Sequence, residues 1–232
     1  MKDSFAVLIA VGLGILFASA LAVPIVFSGY SGITGGQASP SFGGMMTTQG
    51  QAISLDEAIQ MMRNVPQYAN VIQGNNTIVF SNNGSQNIRL VALATDHSGA
   101  ANLTTSATPS YATDDLFVIY GLVDPTLVVP RGATLEIVVL NLDKDMYHNF
   151  VISSVGPPYS YMAMQQGMMG NWQQRGTWVA MMPFLPPVNL NQGIVHEYTY
   201  TVTLSSQQAT LWYLCIYPGH AQDGMYSRML VT

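Results

Sequence analysis

From Thr77 onward the chain is written in short runs of β-branched and aromatic residues separated by turn residues, and no stretch of about 12 residues among them carries a helical period. TIVFS (77–81) is followed by Asn82-Asn83-Gly84, a hairpin-type turn signal, and then by NIRLVALAT (87–95). LFVIYGL (116–122) runs to the break at Asp124-Pro125, TLVV (126–129) to Pro130-Arg131-Gly132, and ATLEIVVLN (133–141) comes next. HNFVIS (148–153), TWVAMM (177–182), HEYTYTVTL (196–204), TLWYLCI (210–216) and YSRMLV (226–231) complete the set. Segments this short bury their apolar sides only against one another. They predict an all-β body, an antiparallel sandwich or barrel.

The first fifth of the chain reads differently. Phe5 to Phe27 carries no charge and, at ~1.5 Å per residue, reaches about 35 Å, enough for a hydrocarbon core of about 30 Å. Lys2 precedes it and the next basic residue is Arg63, which places the N-terminus inside and the body outside. Ala18-Ser19-Ala20 has the small-x-small form of a cleavage site, so a signal peptide is the competing reading; both export the body. The expected organisation is a membrane anchor or signal peptide at 1–28, a flexible Gly/Ser-rich tether at 29–52 and a folded domain at 53–232, on the extracytoplasmic side of the cell membrane, single-pass. The domain opens with a short helix. Ser54 caps it, Glu57 completes the capping box, and Leu55, Ala58, Ile59 and Met62 share a face.

Charge is scarce: 7 basic and 12 acidic residues make 8% of the chain, against roughly 25% in an ordinary soluble domain. No basic cluster exists to displace the counterions of a nucleic acid, which excludes that class of partner. Few carboxylates means few groups that must be protonated in acid, and an acidic exterior is the expected setting. The single cysteine, Cys215, excludes an intramolecular disulfide, a four-cysteine zinc site and a dithiol redox pair.

Cys215 closes an apolar strand, and His220 and Met225 follow it at C-x4-H-x4-M, with Pro218-Gly219 and Gly224 to bend the loop. Taken singly, a buried cysteine is a small hydrophobe, a methionine near a turn is packing and a histidine after Pro-Gly is exposed. Together, two soft sulfurs and an imidazole suit copper, and a second histidine would complete the His2Cys set with a weak axial Met used for electron transfer. Position favours His148, which opens a strand after Asp143-Lys144-Asp145, over His196 in its Tyr/Thr-rich strand; His97 lies in a small-residue loop. A zinc site of Cys, two His and water would give Met225 no role. The four histidines form no His-x-His pair, as a multicopper oxidase or nitrite reductase would need, so the reading is not an enzyme.

Asp124-Pro-Thr-Leu-Val-Val-Pro-Arg-Gly-Ala-Thr134, His148-Asn-Phe, Gly156-Pro-Pro-Tyr159, Tyr213-Leu-Cys-Ile-Tyr-Pro-Gly-His220 and Gly224-Met225 together resemble the cupredoxins, and within them the rusticyanin/sulfocyanin family of blue copper proteins from acidophilic iron and sulfur oxidisers. The resemblance covers residues 54–232 and is weak over 95–115 and 165–195. It implies a Greek-key β-sandwich with a short N-terminal helix extension and one type 1 copper ion. His148, Cys215 and His220 would be equatorial ligands and Met225 the axial one. Rusticyanin has Ser after its first histidine ligand; Asn149 here would hydrogen-bond across the site and give a potential below that of rusticyanin. The resemblance also implies that the His220 ring edge faces solvent as the electron port, and that Phe150, Pro158, Tyr213, Tyr217 and Pro218 form a dry shell. The implied function is Cu(I)/Cu(II) electron transfer in a respiratory chain, from a cytochrome or iron-oxidising donor to a terminal oxidase, by a monomeric domain; a copper carrier or chaperone is the alternative. Met162, Met164, Met168, Met169, Met181 and Met182 read either as a docking surface beside the copper or as core.

Overall fold

The structure, a computed structural model, describes residues 47–81, 87–101, 103–104, 106–163, 178–180 and 182–232. Its strands are β1 (Gln51–Ser54), β2 (Ala69–Ile72), β3 (Thr77–Phe80), β4 (Asn87–Thr95), β5 (Leu116–Ile119), β6 (Leu122–Val123), β7 (Thr126–Val129), β8 (Thr134–Asn141), β9 (Val151–Ser153), β10 (Trp178–Ala180), β11 (Ile194–Thr203), β12 (Ala209–Leu214) and β13 (Tyr226–Val231), with helices α1 (Leu55–Arg63) and α2 (His97–Ala100). They form a six-stranded sheet, β1-β11-β8-β4-β5-β6, and a seven-stranded sheet, β10-β9-β12-β13-β7-β3-β2. Between the sheets, Phe117, Phe150 and Tyr213 are buried together; Phe150 stacks on Tyr213 at 4.9 Å and meets Phe117 edge-on at 5.1 Å.

Along β4 and β8 the alternation of buried and open residues gives way to continuous burial at their C-terminal ends. α1 lies against β1, β4 and β11 and buries Ala58 and Met62, so part of this sheet is covered on both faces. Its start is the expected one: the Ser54 hydroxyl accepts from the Glu57 N–H at 3.2 Å, satisfying a donor that the first turn leaves free.

Several expectations are corrected. The sandwich is not purely antiparallel: β4–β8, β7–β13 and β3–β7 pair in parallel, because the chain changes sheet between sequence neighbours. The Asn82-Asn83-Gly84 signal is not a hairpin, since β3 and β4 belong to different sheets; the turn itself lies outside the described residues. The run 116–122 is two strands. Tyr120 and Gly121 both take positive φ (47° and 83°), and β5 turns back on β6 through this two-residue loop. Tyr120 is held there by its hydroxyl, which donates to the Arg89 carbonyl at 2.9 Å.

The tether does not extend to residue 52. β1 pairs with β11, and Thr47 already bridges to Phe184, so the folded body takes in residues from 47. Gly50, at φ 59°, passes so close to the Glu197 carbonyl that a β-carbon would not fit. The expected membrane segment at 1–28 lies outside the described residues. Among the described residues no helix is long and apolar enough to cross a membrane.

Candidate metal centre

β12 delivers Cys215, and β13 pairs back onto it from Tyr226, so the residues between them form one closed loop. Backbone bonds fix that loop: Cys215 N–H donates to the Met225 carbonyl at 3.1 Å, Met225 N–H to His220 at 2.9 Å and Asp223 N–H to Gly219 at 2.9 Å. Gly219 and Gly224 supply the positive φ values (91° and 107°) that fold it back. Thus the C-x4-H-x4-M spacing becomes a cluster in space. Met225 is fully buried, with its main chain bonded to both Cys215 and His220.

His148 arrives from the other side of the loop cluster. Asn141, at the end of β8, donates from Nδ2 to the carbonyls of Met146, Leu185 and Pro186 at 2.9–3.1 Å and accepts from Asp143 N–H at 2.9 Å. It anchors both the 142–147 turn and the chain at 185–186. His148 then exchanges two backbone bonds with Leu185. Its Nδ1 lies 3.8 Å from Cys215 Sγ and 3.1 Å from His220 Nδ1. The three donor atoms fall within 4.8 Å of one another, and all three residues are buried.

Asn149 ties the two halves together. Its Oδ1 accepts from Ile216 N–H at 3.1 Å and its Nδ2 donates to the Met182 carbonyl at 2.7 Å. Burial pushes the Cys215 thiol up to about 12. Burial, and then the neighbouring His148, pull His220 down to about 3, and burial also lowers His148. Burial thus favours the neutral form of both imidazoles, which has a lone pair to offer; a bound cation would take the thiolate and displace its proton. Two imidazoles, a thiol and a thioether form a His–Cys–His–Met set of the kind that holds type 1 copper, and a harder metal would leave both sulfurs poorly used.

Sequence reasoning missed two members of the site. Asp115 Oδ2 lies 3.3 Å from His220 Nε2 and 4.0 Å from His148 Nε2, and Asp143 Oδ2 lies 3.5 Å from His148 Nε2. Both carboxylates are buried. Burial would raise Asp143, but the nearby His148 ring and the hydrogen bonds from the N–H groups of Asp145 and Met146 outweigh it and hold the carboxyl well below its usual range. Asp115 is pushed up to about 8, by burial first and by the Asp143 charge second. Asp143 had read as part of a polar turn, and Asp115 lay at the end of a stretch with weak family resemblance. Their common signal is topological: β5, β4 and β8 are neighbours, so the start of β5 and the end of β8 meet at one end of the sheet.

The expected electron port is also corrected. His220 is only 5% exposed, and its outer nitrogen faces Asp115 instead of solvent. The segment before β5 covers it. Thr113 donates to the Asp223 carbonyl from N–H (2.9 Å) and hydroxyl (3.0 Å), Tyr111 stacks on Tyr226 at 5.1 Å, and Gly224 passes so close to the Tyr111 main chain that no β-carbon would fit. Of the expected shell, Phe150 and Tyr213 are fully buried and Tyr217 meets the His220 ring at 4.7 Å, whereas Pro158 is exposed and Pro218 half-buried. His196 is occupied elsewhere, its Nδ1 2.8 Å from the Gln49 carbonyl, and His97 is exposed in α2. Met182 belongs to the core and Met162 is half-buried; Met164, Met168, Met169 and Met181 lie outside the described residues.

Two facing sheets with a Cys–His–Met loop closing one end make a cupredoxin-like fold. No family model matches the chain. By sequence it is similar to the rusticyanins: it is 29% identical over 121 residues to rusticyanin of Acidithiobacillus ferridurans, a match covering 50% of this chain and 54% of that one. A rusticyanin of Acidithiobacillus ferrooxidans is 30% identical over 115 residues, covering 50% of this chain and 65% of the relative. The chain spans about half the length of the first of these curated relatives. In structure, rusticyanin from Thiobacillus ferrooxidans at 1.27 Å superposes with a TM-score of 0.57 and 24% identity, over 78% of this chain and 96% of that one. Reduced rusticyanin at 1.9 Å gives 0.56 and 23%, over 78% and 99%.

Proposed function

We propose that this chain is a blue copper electron carrier with one type 1 copper ion held by His148, Cys215, His220 and Met225. The observation that carries the reading is the convergence of two imidazole Nδ1 atoms and a cysteine sulfur, all out of water, on a loop that Met225 closes. Copper bound there would supply one-electron exchange without making a bond in any substrate. The chain's own part is to keep the donors in place in both oxidation states. The backbone bonds across the loop, the Leu185 pairing of His148 and the Asn149 bridge all hold without the ion. The Phe117, Phe150 and Tyr213 rings beneath exclude water.

The wider setting extends the same proposal. The chain would be anchored through 1–28 in the cell membrane, with the copper domain on the extracytoplasmic side of an acidophile. It would pass electrons from a cytochrome or iron-oxidising donor to a terminal oxidase. Asp124 and Glu197 support the acid setting: burial raises both carboxyls, so the folded state prefers them protonated. A copper carrier would need donors that open readily to a partner, and the burial of His148, Cys215 and Met225 with His220 covered speaks against it. The visible and electron paramagnetic resonance spectra of copper-loaded protein test the reading. An intense thiolate-to-copper band that Cys215→Ser abolishes is the expected result; a colourless wild type under oxidising conditions would overturn it.

A further inference from the structure

The outer face of the seven-stranded sheet carries a groove that the metal centre does not use. On β12 and β13 the inward residues Tyr213, Ser227 and Met229 are buried, whereas Trp212, Tyr226 and Arg228 point outward. Trp212 pairs across the ladder with Arg228. The Trp212 indole meets the Tyr226 ring edge-on at 6.0 Å, and Tyr111, from the segment before β5, stacks on Tyr226 at 5.1 Å. Trp212 is seated against Gly156, where a β-carbon would overlap the indole. The three rings line an open groove of about 600 Å³, within the size range of small-molecule sites. Tyr111 is 41% exposed and the other two rings are half-buried, so each keeps surface free for a ligand.

Two residues lining this groove hold buried oxygens without a hydrogen-bond partner. Asp124 is 1% exposed; its Oδ1 accepts from the Phe117 N–H at 3.0 Å, and its Oδ2 has no partner. Asn76 turns Nδ2 to the Val123 carbonyl at 2.7 Å, which leaves Oδ1 without a donor. A buried polar atom left unpaired is costly, and two at one groove call for a group that enters and satisfies them. Charge narrows what that group is. Arg228 in the same groove opposes a cation, and an ionised Asp124 carboxyl opposes an anion. A hydroxyl both donates and accepts, so it satisfies Asn76 Oδ1, and Asp124 Oδ2 with or without its proton. The fitting ligand is neutral, rich in hydroxyls and able to lie on aromatic rings. A pyranose has these properties, with an apolar C–H face for the rings and hydroxyls around its edge.

We propose that this groove is a saccharide-binding site, in which Trp212, Tyr226 and Tyr111 stack against a sugar ring and Asp124 and Asn76 take its hydroxyls. The site uses no metal, and it stands apart from the copper reading.

The test is a magnetic resonance titration of the full-length chain with the methyl glycosides of glucose, galactose and mannose. At least one should bind with a dissociation constant of about 1 mM, as suits a single small ring, and should move the Trp212 indole N–H resonance. Trp212→Ala should weaken that binding about tenfold, and Trp212→Phe, which keeps a ring, should recover part of the loss. Tetrahydropyran, the same ring without hydroxyls, should bind at least about tenfold more weakly than the glycoside. An oligosaccharide that binds more tightly than its own methyl glycoside identifies a polysaccharide as the natural source, and equal affinity identifies a free sugar. No binding of any glycoside at about 100 mM, far above the expected constant, would overturn the proposal. So would binding that leaves the Trp212 resonance still, a result read in the wild type and independent of whether Trp212→Ala folds. Tetrahydropyran binding as tightly as the glycosides would overturn it too, since Asp124 and Asn76 would then be recognising nothing. Choline binding more tightly than any glycoside would do the same, because the rings would then serve a cation.

Discussion

The interior of the sandwich and its ligand end are equally closed to water, yet they are held by opposite means. In the interior, Phe117, Phe150, Tyr213 and the aliphatic residues of β4 and β8 meet mainly through shape, with the Tyr213 hydroxyl donating to the Pro125 carbonyl at 2.6 Å. At the ligand end, Asn141, Asn149, Asp143 and Asp115 each face named partners, and removing one strands a buried polar group. Apolar packing fails by degrees as volume is lost, whereas a directional network fails at the bond. The ligand end of such a protein is thus the stiffer in geometry and the less forgiving of substitution.

The largest expected effect is at the hinge of the network. Asn141→Ala should cost on the order of 4–6 kcal/mol in denaturant unfolding, because the buried Pro186 carbonyl and the Asp143 N–H lose the side chain they bond and the Leu185 and Met146 carbonyls each lose a donor. Phe150→Ala should cost about 3–5 kcal/mol, and the copper band should survive it at low temperature. If Phe150→Ala erased the band while Asn141→Ala kept it, the comparison would be inverted. Asn149→Ser should cost about 1–3 kcal/mol and raise the midpoint potential, since the Ile216 N–H beside the cysteine loses its acceptor; voltammetry beside wild type checks it.

A smaller effect sharpens the contrast through pH. Asp124 is fully buried, and burial sets its folded pKa well above 3.8 despite the Phe117 N–H it accepts. The folded state therefore binds the proton more tightly than the unfolded chain does. The resulting stabilisation is complete below the unfolded value and is lost as pH rises through the folded one. Urea midpoints should be higher near pH 4 than near pH 7, and Asp124→Asn should flatten that slope. The smallest change is Glu136→Gln, within about 0.5 kcal/mol, because its 3.4 Å pair with Arg89 is about half exposed on both sides.

Much of this architecture was legible in the chain because local signals and tertiary demands agree. β4, β7 and β13 fall where their β-branched runs fall, the Ser54 cap starts α1, and the Cys215–His220–Met225 loop is local in sequence. Elsewhere the two part company. The Tyr120–Gly121 turn is set by a hydroxyl reaching the distant Arg89 carbonyl, and tyrosine is no turn residue. β1 is polar and becomes a strand only because the β11 edge is there to receive it. Parallel pairings and the meeting of Asp115 with His220 join residues far apart along the chain, which periodicity does not register.

The stretch that crosses over Gly224 has a kinetic consequence. With main chain of Tyr111 and Thr113 lying across the Cys–His–Met loop, an ion leaves only when a length of polypeptide swings aside. Loading and escape of an ion would then depend on how often that stretch lifts as well as on the strength of the bonds to it.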